Sequence, residues 1–377
     1  MSNKGLEGVV AAETELSNVR GEEGRLIYRG YEIEDLAEGV TFEEVCHLLW
    51  YGSLPTRPAL DALGARMAEA RAVPERVIEA LALLPTNIHP MTALRTSASM
   101  LAAFDAEAED GSAEANERKA VRITAQLPTL TAAFERLRRG QEAVAPRQDL
   151  GHAANFLYML DDQEPDELAG RIMDVAFTLH AEHGLNASTF AARVTVATLS
   201  DMYSGLTSAI GTLKGPLHGG ANQRVMEMLE QIEGPDEVEG FIRATLDRGE
   251  KIMGFGHRVY RTLDPRAPIL KRFAEEYAGR AGETKWLTTA NRVVEVMRQE
   301  MESRGKKVYP NVDFFSAPLY STMGVPTDTF TNIFACARAA GWTAHMLEQL
   351  GDNRLIRPRA EYVGPTGLTV QPIEARG

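Results

Sequence analysis

Residues 214–222 read KGPLHGGAN. In a chain rich in helix formers, three glycines and a proline here hold one histidine, His218, outside any regular helix or strand. Two readings fit these nine residues. One is a plain turn with a surface histidine; the other is a tight loop that presents His218 to a ligand. The next residues, ANQRVMEMLEQI, have helical periodicity, so a helix starts just after Gly219 and Gly220. His218 then faces the positive end of that helix, which disfavours imidazolium. A neutral imidazole there can donate one hydrogen bond to a carbonyl oxygen without carrying charge.

Working outward, Gly215, Pro216, Gly219 and Gly220 mark one hinge, and Pro318, Gly324 and Pro326 mark a second near 317–326. The expected organisation is a large helical domain, discontinuous over 1–217 and 322–377. Within it, a smaller helical domain is inserted over 218–321. The start, GVVAAETELSNVRGEEGRLIYRGYEI, alternates weakly around central turn residues and predicts a short hairpin. Helical patterns then dominate. TFEEVCHLLWYG carries a capping box in Thr41 and Glu44 and stops at Gly52. Similar patterns occupy about 59–71, 74–84, 91–104 and 119–138, with acidic AEAEDGSAEANE read as a solvated loop or helix end. GFGHRV at 254–259 lacks the third glycine and the βαβ surroundings of a dinucleotide fingerprint. The fold class is mostly α.

The 377 residues predict about two domains, and 44% hydrophobic with 25% charged content is an ordinary globular balance. Cys46 and Cys336 form no disulfide framework or metal-ligand spacing and read as small core residues in a reducing compartment. The start MSNKGLEGVV lacks the apolar region of a signal peptide, and no run of 18 apolar residues occurs. A cytoplasmic location is expected. A net charge of −13 argues against nucleic acid and anionic membranes as partners. An anionic ligand would need arginines gathered locally.

Several residues could do chemistry. In RIMDVAFTLHAEHG, His180 and His183 share the apolar face, and Gly184 is expected to end the helix. His183 would sit at the C-terminal end, where the dipole favours a cation; a core histidine satisfied by a carbonyl is the alternative. In KIMGFGHRVYRTLDPRAPILKRF, Gly254 and Gly256 would let a ligand approach the backbone beside His257. Asp264 and Pro265 read as cap and first residue of a helix whose first turn carries Arg266, suited to grip an anion. An exposed helix face is the other reading of Arg266. Asp313 in PNVDFFS sits in apolar company, either paired structurally or held as a base with a raised pKa. On the helix ending at Gly351, Phe334, Arg338, Gly341, Trp342 and His345 share a face, with Thr327 or Asp328 as cap. An arginine on an apolar face is paired or binds an anion. Arg354, Arg357 and Arg359 in NRLIRPRAEY cluster in a non-helical stretch suited to a carboxylate.

KGPLHGGAN, GFGHRVYRTLDPR, PNVDFFS and NRLIRPRAEYVG, in this order, resemble the citrate synthase family. The likeness extends to GLEGVVAAETELSNVRGEEGRLIYRGY at the start, HPMTALRTSASM at 89–100 and His183 in HAEHGLNAST. The resemblance implies condensation of acetyl-CoA with oxaloacetate and water to give citrate and CoA. By it, His218 hydrogen-bonds the thioester carbonyl, Asp313 removes a methyl proton, and His257 polarises the ketone of oxaloacetate. His183, Arg266, Arg338 and Arg357 resemble the cage around the oxaloacetate carboxylates, Arg357 reaching in from the other subunit of a homodimer. Arg261, Lys306 and Lys307 resemble CoA phosphate contacts. Neither a metal nor a permanently bound cofactor is implied, and the small domain is expected to close over the site.

Ser316 is followed by Ala317 where many members carry glycine, a pairing also similar to 2-methylcitrate synthases, which take propionyl-CoA. One methyl in a pocket is worth only about 1–3 kcal/mol, so both acyl groups fit this reading. Two other classes stay open on the residues alone. One is a metal-dependent hydrolase using His180, His183, His218 and Asp313. The other is a non-catalytic carboxylate-binding protein using only the arginines.

Overall fold

The alternating start of the chain pairs as expected. In the computed structural model, which describes residues 4–376, β1 (Ser17–Arg20), β2 (Arg25–Tyr28) and β3 (Tyr31–Glu32) form an antiparallel sheet in that order. Ser17 lies opposite Tyr28 and Arg20 opposite Arg25, around the turn 21–24. Leu26 and Tyr28, two residues apart, both point into the core. Residues 1–3 and 377, the outermost residues of the large predicted domain, lie outside the described residues.

Sixteen α-helices follow among the described residues. They are α1 (Ile33–Gly39), α2 (Phe42–Tyr51), α3 (Arg57–Ala70), α4 (Glu75–Ala82), α5 (Pro90–Leu101), α6 (Ala113–Arg138), α7 (His152–Asp161) and α8 (Glu167–His180). Then come α9 (Ala187–Val196), α10 (Met202–Leu213), α11 (Ala221–Leu229), α12 (Val238–Asp247), α13 (Arg266–Ala281), α14 (Lys285–Ser303), α15 (Val312–Thr322) and α16 (Phe330–Gly351). The mostly α class holds. The capping box on α2 is formed on both sides, and Gly52 closes that helix at φ 83°. Ser112 caps α6, so AEANE belongs to the helix and not to the acidic loop before it. Asp328 does not cap α16, because its carboxylate takes both Nη groups of Arg138 at 2.6 Å.

Helices α6 and α16 pack against each other at the centre. Both are buried on nearly every side, as their small and apolar residues require. Cys46 and Cys336 are free and buried, as expected of core residues. No helix among the described residues is long and apolar enough to cross a membrane.

Helices α11 to α15 contact chiefly one another, and they meet the rest through α11 on α16 and through α13 on α8 and α1. Residues 214–220, the turn expected from the glycines and proline, are irregular and lie between α10 and α11. Of the turn residues read as a second hinge, Gly324 and Pro326 lie outside any helix. Pro318 lies inside α15 and is buried there, and the 321/322 boundary falls in the last turn of that helix. Burial of Phe315, Ala317 and Leu319 outweighs the break a proline predicts, which costs about 3 kcal/mol in a helix interior.

Candidate active site

The opening turn seats His218 on the end of α10. Gly219 N–H donates to Leu213 O at 3.0 Å, and a Cβ on Gly219 would lie 2.4 Å from that oxygen. The missing side chain is thus what lets the turn close. His218 Nε2 accepts the Ser188 N–H at 3.2 Å and lies 2.8 Å from Ser188 Oγ. Trp342 Nε1 donates to that hydroxyl at 3.1 Å. An accepting Nε2 assigns the proton to Nδ1, which has no hydrogen-bond partner among the described residues. Burial, then the charges of Arg338 and Arg258, lowers the His218 pKa to about 4. The ring is a neutral donor near pH 7.

His257 is a mirror case. Its Nδ1 accepts the N–H groups of Val259 at 3.0 Å and Tyr260 at 3.1 Å, so Nε2 carries the proton. Burial and Arg266 bring its pKa down to about 4. His183 lies with its ring centroid 5.3 Å from that of His257, and its Nε2 is 3.3 Å from Tyr260 Oη.

His183 is not on the helix predicted to carry it. Helix α8 ends at His180, because tertiary groups take the bonds its next turn would need. Arg338 Nε donates to His180 O at 2.7 Å, and Gly184 N–H turns to Ser17 Oγ at 3.0 Å. Nor does the site favour a cation there: burial, Arg266, His257 and Arg338 push the His183 pKa well below its usual value. His180 places Nδ1 at 2.7 Å from Ala176 O and packs its ring against Phe334. Among the described residues, no three or more His, Cys, Asp or Glu side chains are grouped to hold the metal that the hydrolase reading requires.

Arg266 is 3% exposed, not on an open helix face. Asp264 holds it in a fork, Nε to Oδ1 at 2.9 Å and Nη2 to Oδ2 at 2.8 Å, which leaves Nη1 uncommitted. Arg338, 1% exposed, spends only Nε on the His180 carbonyl and stacks 4.7 Å over Phe334. Burial lowers its pKa to about 10, against the opposing charge of Glu182. It remains a cation whose Nη groups make no hydrogen bond among the described residues.

Asp313 lies in the first turn of α15, capped by Asn311, whose Oδ1 accepts the Asp313 N–H at 3.1 Å. Asp313 Oδ1 is buried without a partner, and burial raises its pKa to about 6 although Arg266 pulls the other way. Asn311 also ties this helix to the His257 loop, through Nδ2 to Gly256 O at 3.0 Å and N–H to Gly254 O at 2.9 Å. The charge of Arg266 bears on Asp313, His183 and His257, and that of Arg338 on Asp313, His183 and His218. Groups from three loops and one helix are thus gathered around two guanidiniums that two other helices carry.

Other expectations fare differently. Gly254, at φ +77°, serves packing: a Cβ there would lie 2.7 Å from Val225 and 2.8 Å from Phe314. Gly256, at φ +80°, faces open space and fits the approach of a ligand. Arg261, Lys306 and Lys307 are exposed. Arg354, Arg357 and Arg359 are exposed on the irregular stretch after α16, and no bond joins their side chains to the groups above. Sequence reasoning missed Ser188, which fixes the His218 tautomer from thirty residues away and carries no local signal. It also missed Asn311, though an Asn just before a helical run is a recognisable cap.

Comparison with known proteins now bears on this arrangement. The family described as "Citrate synthase, C-terminal domain" matches residues 5–359. The chain belongs to the citrate synthase family. Members are acyltransferases, so the protein is an enzyme of that class. It is 49% identical to "Citrate synthase 2" of Bacillus subtilis over 100% of this chain and 99% of that one. It is 45% identical to a 2-methylcitrate synthase of Mycobacterium tuberculosis over 96% of this chain and 90% of that one. Among solved structures, citrate synthase from Thermoplasma acidophilum, in a ternary complex with carboxymethyl coenzyme A and oxaloacetate, superposes with a TM-score of 0.93 at 34% identity, covering 99% of both chains. That from Thermotoga maritima does so with a TM-score of 0.89 at 42% identity, covering 100% of both.

Proposed function

We infer that this member of the citrate synthase family condenses acetyl-CoA with oxaloacetate. A thioester α-proton is very weakly acidic, so a lone carboxylate cannot take it. In our reading Asp313 Oδ1 removes the methyl proton while His218 Nδ1–H donates to the thioester oxygen, giving an enol or enolate. One such donor is worth roughly 2.7–4 kcal/mol. The new nucleophilic carbon attacks the ketone carbon of oxaloacetate, whose oxygen takes a hydrogen bond from His257 Nε2–H. Water then cleaves citryl-CoA to citrate and CoA. Arg266 Nη1, the Arg338 Nη groups and His183 hold the substrate carboxylates, with Arg357 supplied by the second subunit of a homodimer. Arg261, Lys306 and Lys307 stand at the rim as CoA phosphate contacts. The segment 218–321 acts as a lid that excludes water while the carbanion-like species exists.

One observation carries this reading. A buried, unpartnered carboxylate with a raised pKa is accompanied by two neutral imidazoles whose tautomers each leave a free N–H. The test is release of free thiol from acetyl-CoA, dependent on oxaloacetate. Absence of turnover with both substrates would end the reading.

A second reading is favoured by the 45% identity to a 2-methylcitrate synthase and by Ser316–Ala317, buried one turn beyond Asp313, with Ser316 Oγ donating to Asp313 O at 3.1 Å. In it propionyl-CoA is the preferred acyl donor. The ratio of kcat/KM for acetyl-CoA and propionyl-CoA decides between them.

A further inference from the structure

The chemistry above leaves the N-terminal sheet unused, yet the sheet touches both histidine loops on the oxaloacetate side. From β1, Ser17 Oγ accepts the Gly184 N–H at 3.0 Å and donates to Glu182 Oε1 at 2.9 Å. From β2, the fully buried Tyr28 donates its hydroxyl to Glu182 O at 2.7 Å and accepts the Glu182 N–H at 3.1 Å. These bonds fix residues 182 and 184, with His183 between them.

The turn 21–24 meets the other loop. Gly21 O accepts the Arg261 N–H at 3.0 Å. A Cβ on Gly21 would lie 2.2 Å from Val259 O, and a Cβ on Gly24, at φ +67°, would lie 2.7 Å from Thr262 Cγ2 and 3.0 Å from Leu263 O. The N–H groups of Val259 and Tyr260 are also those that orient the His257 ring. One hairpin thus spans from the segment bearing His183 to the segment bearing His257, 74 residues on.

We propose that the β1–β2 hairpin is the jig that sets His183 and His257 relative to each other. Gly21 and Gly24 are positioning residues, bare of side chains so that residues 259–263 can seat on the turn. This rests on the reading of both histidines as oxaloacetate-facing groups. Misplacement of a binding group by about 1 Å can cost on the order of a hundredfold in rate, so two imidazoles on separate loops need a common reference.

The test compares Gly21→Ala, Gly24→Ala and Gly24→Ala with Thr262→Ser in the full-length enzyme, beside the exposed turn variant Glu22→Ala. The expected result is a rise of about tenfold or more in oxaloacetate KM for both glycine variants. Thr262→Ser removes the methyl that Gly24→Ala strikes, so the double variant moves back toward the wild-type KM. Glu22→Ala and Thr262→Ser alone stay at the wild-type value. A purely structural role would lower stability and the active fraction but leave KM in place. Should Gly21→Ala fail to fold, the Gly24–Thr262 pair decides.

His183→Ala, measured by oxaloacetate-induced thermal stabilisation, checks the underlying reading separately. Unchanged stabilisation in His183→Ala would sink that reading and the jig with it. Wild-type KM in both glycine variants, or no rescue by Thr262→Ser, beside an impaired His183→Ala would sink the jig alone.

Discussion

At the scale of single residues, Asp313 sets function against stability. Its pKa is raised from 3.8 to about 6, a difference of about 2. A carboxyl whose folded pKa lies above its unfolded value favours folding at low pH, and that advantage is lost as pH rises from 3.8 through about 6. Above that window the ionised group costs at most about 3 kcal/mol, at 1.36 kcal/mol per unit. Asp313→Asn is therefore expected to abolish turnover and yet unfold at a higher temperature at pH 8, with the gain absent at pH 4. Equal unfolding midpoints at pH 8 would contradict the buried-charge account. In the wild type, kcat/KM is expected to fall tenfold per pH unit below about 6, where the base becomes protonated. His218 and His257 stay neutral down to about 4 and add no limb above it. Arg338→Ala removes charge-assisted bonds worth roughly 1.5–3 kcal/mol, so oxaloacetate KM should rise between about ten- and a hundredfold while kcat changes less. An unchanged KM would take Arg338 out of the cage. These residues were legible in the sequence by type and company: an Asp among apolar neighbours, an Arg on an apolar face. Their protonation states were not, because Ser188, which fixes the His218 tautomer, and the packing that buries Asp313 come from other segments.

At the scale of elements, local signals predicted helices well and helix ends less well. The capping box and Gly52 bound α2 because both signals lie within a few residues of it. The end of α8 was misread because Arg338 and Ser17, 158 residues later and 167 earlier in the chain than their partners, take its last bonds. Close packing of α16 on this point makes a prediction. A Cβ on Gly341 would lie 2.3 Å from Ala181 O and 2.4 Å from Glu182 Oε2. Gly341→Ala is thus expected to cost about 1–3 kcal/mol and also to shift the segment that bears His183, raising oxaloacetate KM. Thr41→Ala, which removes the α2 cap, should cost about 1 kcal/mol with no change in KM. If the two variants behaved alike in KM, the close approach at Gly341 would have no bearing on the site.

At the scale of the molecule, the α class followed from helical periodicity, whereas the gathering of His183, His218, His257 and Asp313 around Arg266 and Arg338 had no signature in any one motif. The last such case is Arg357. In one chain it is exposed, on a stretch with no helix or strand, and 19 residues past Arg338, whose helix lies at the core. On the proposed homodimer, Arg357 completes the cage of the second copy, and this has a sharp consequence. Asp313→Asn and Arg357→Ala homodimers should each be nearly inactive. In a mixed dimer, the site whose Asp313 is intact receives its Arg357 from the Asp313→Asn chain, where that arginine is intact, so one of two sites is whole. Random re-pairing makes half of the dimers mixed, and half of their sites work, so activity should recover to about a quarter of the wild-type value. If co-refolded variants stay as inactive as either parent, while mass measurement shows mixed dimers present, Arg357 serves its own chain or none.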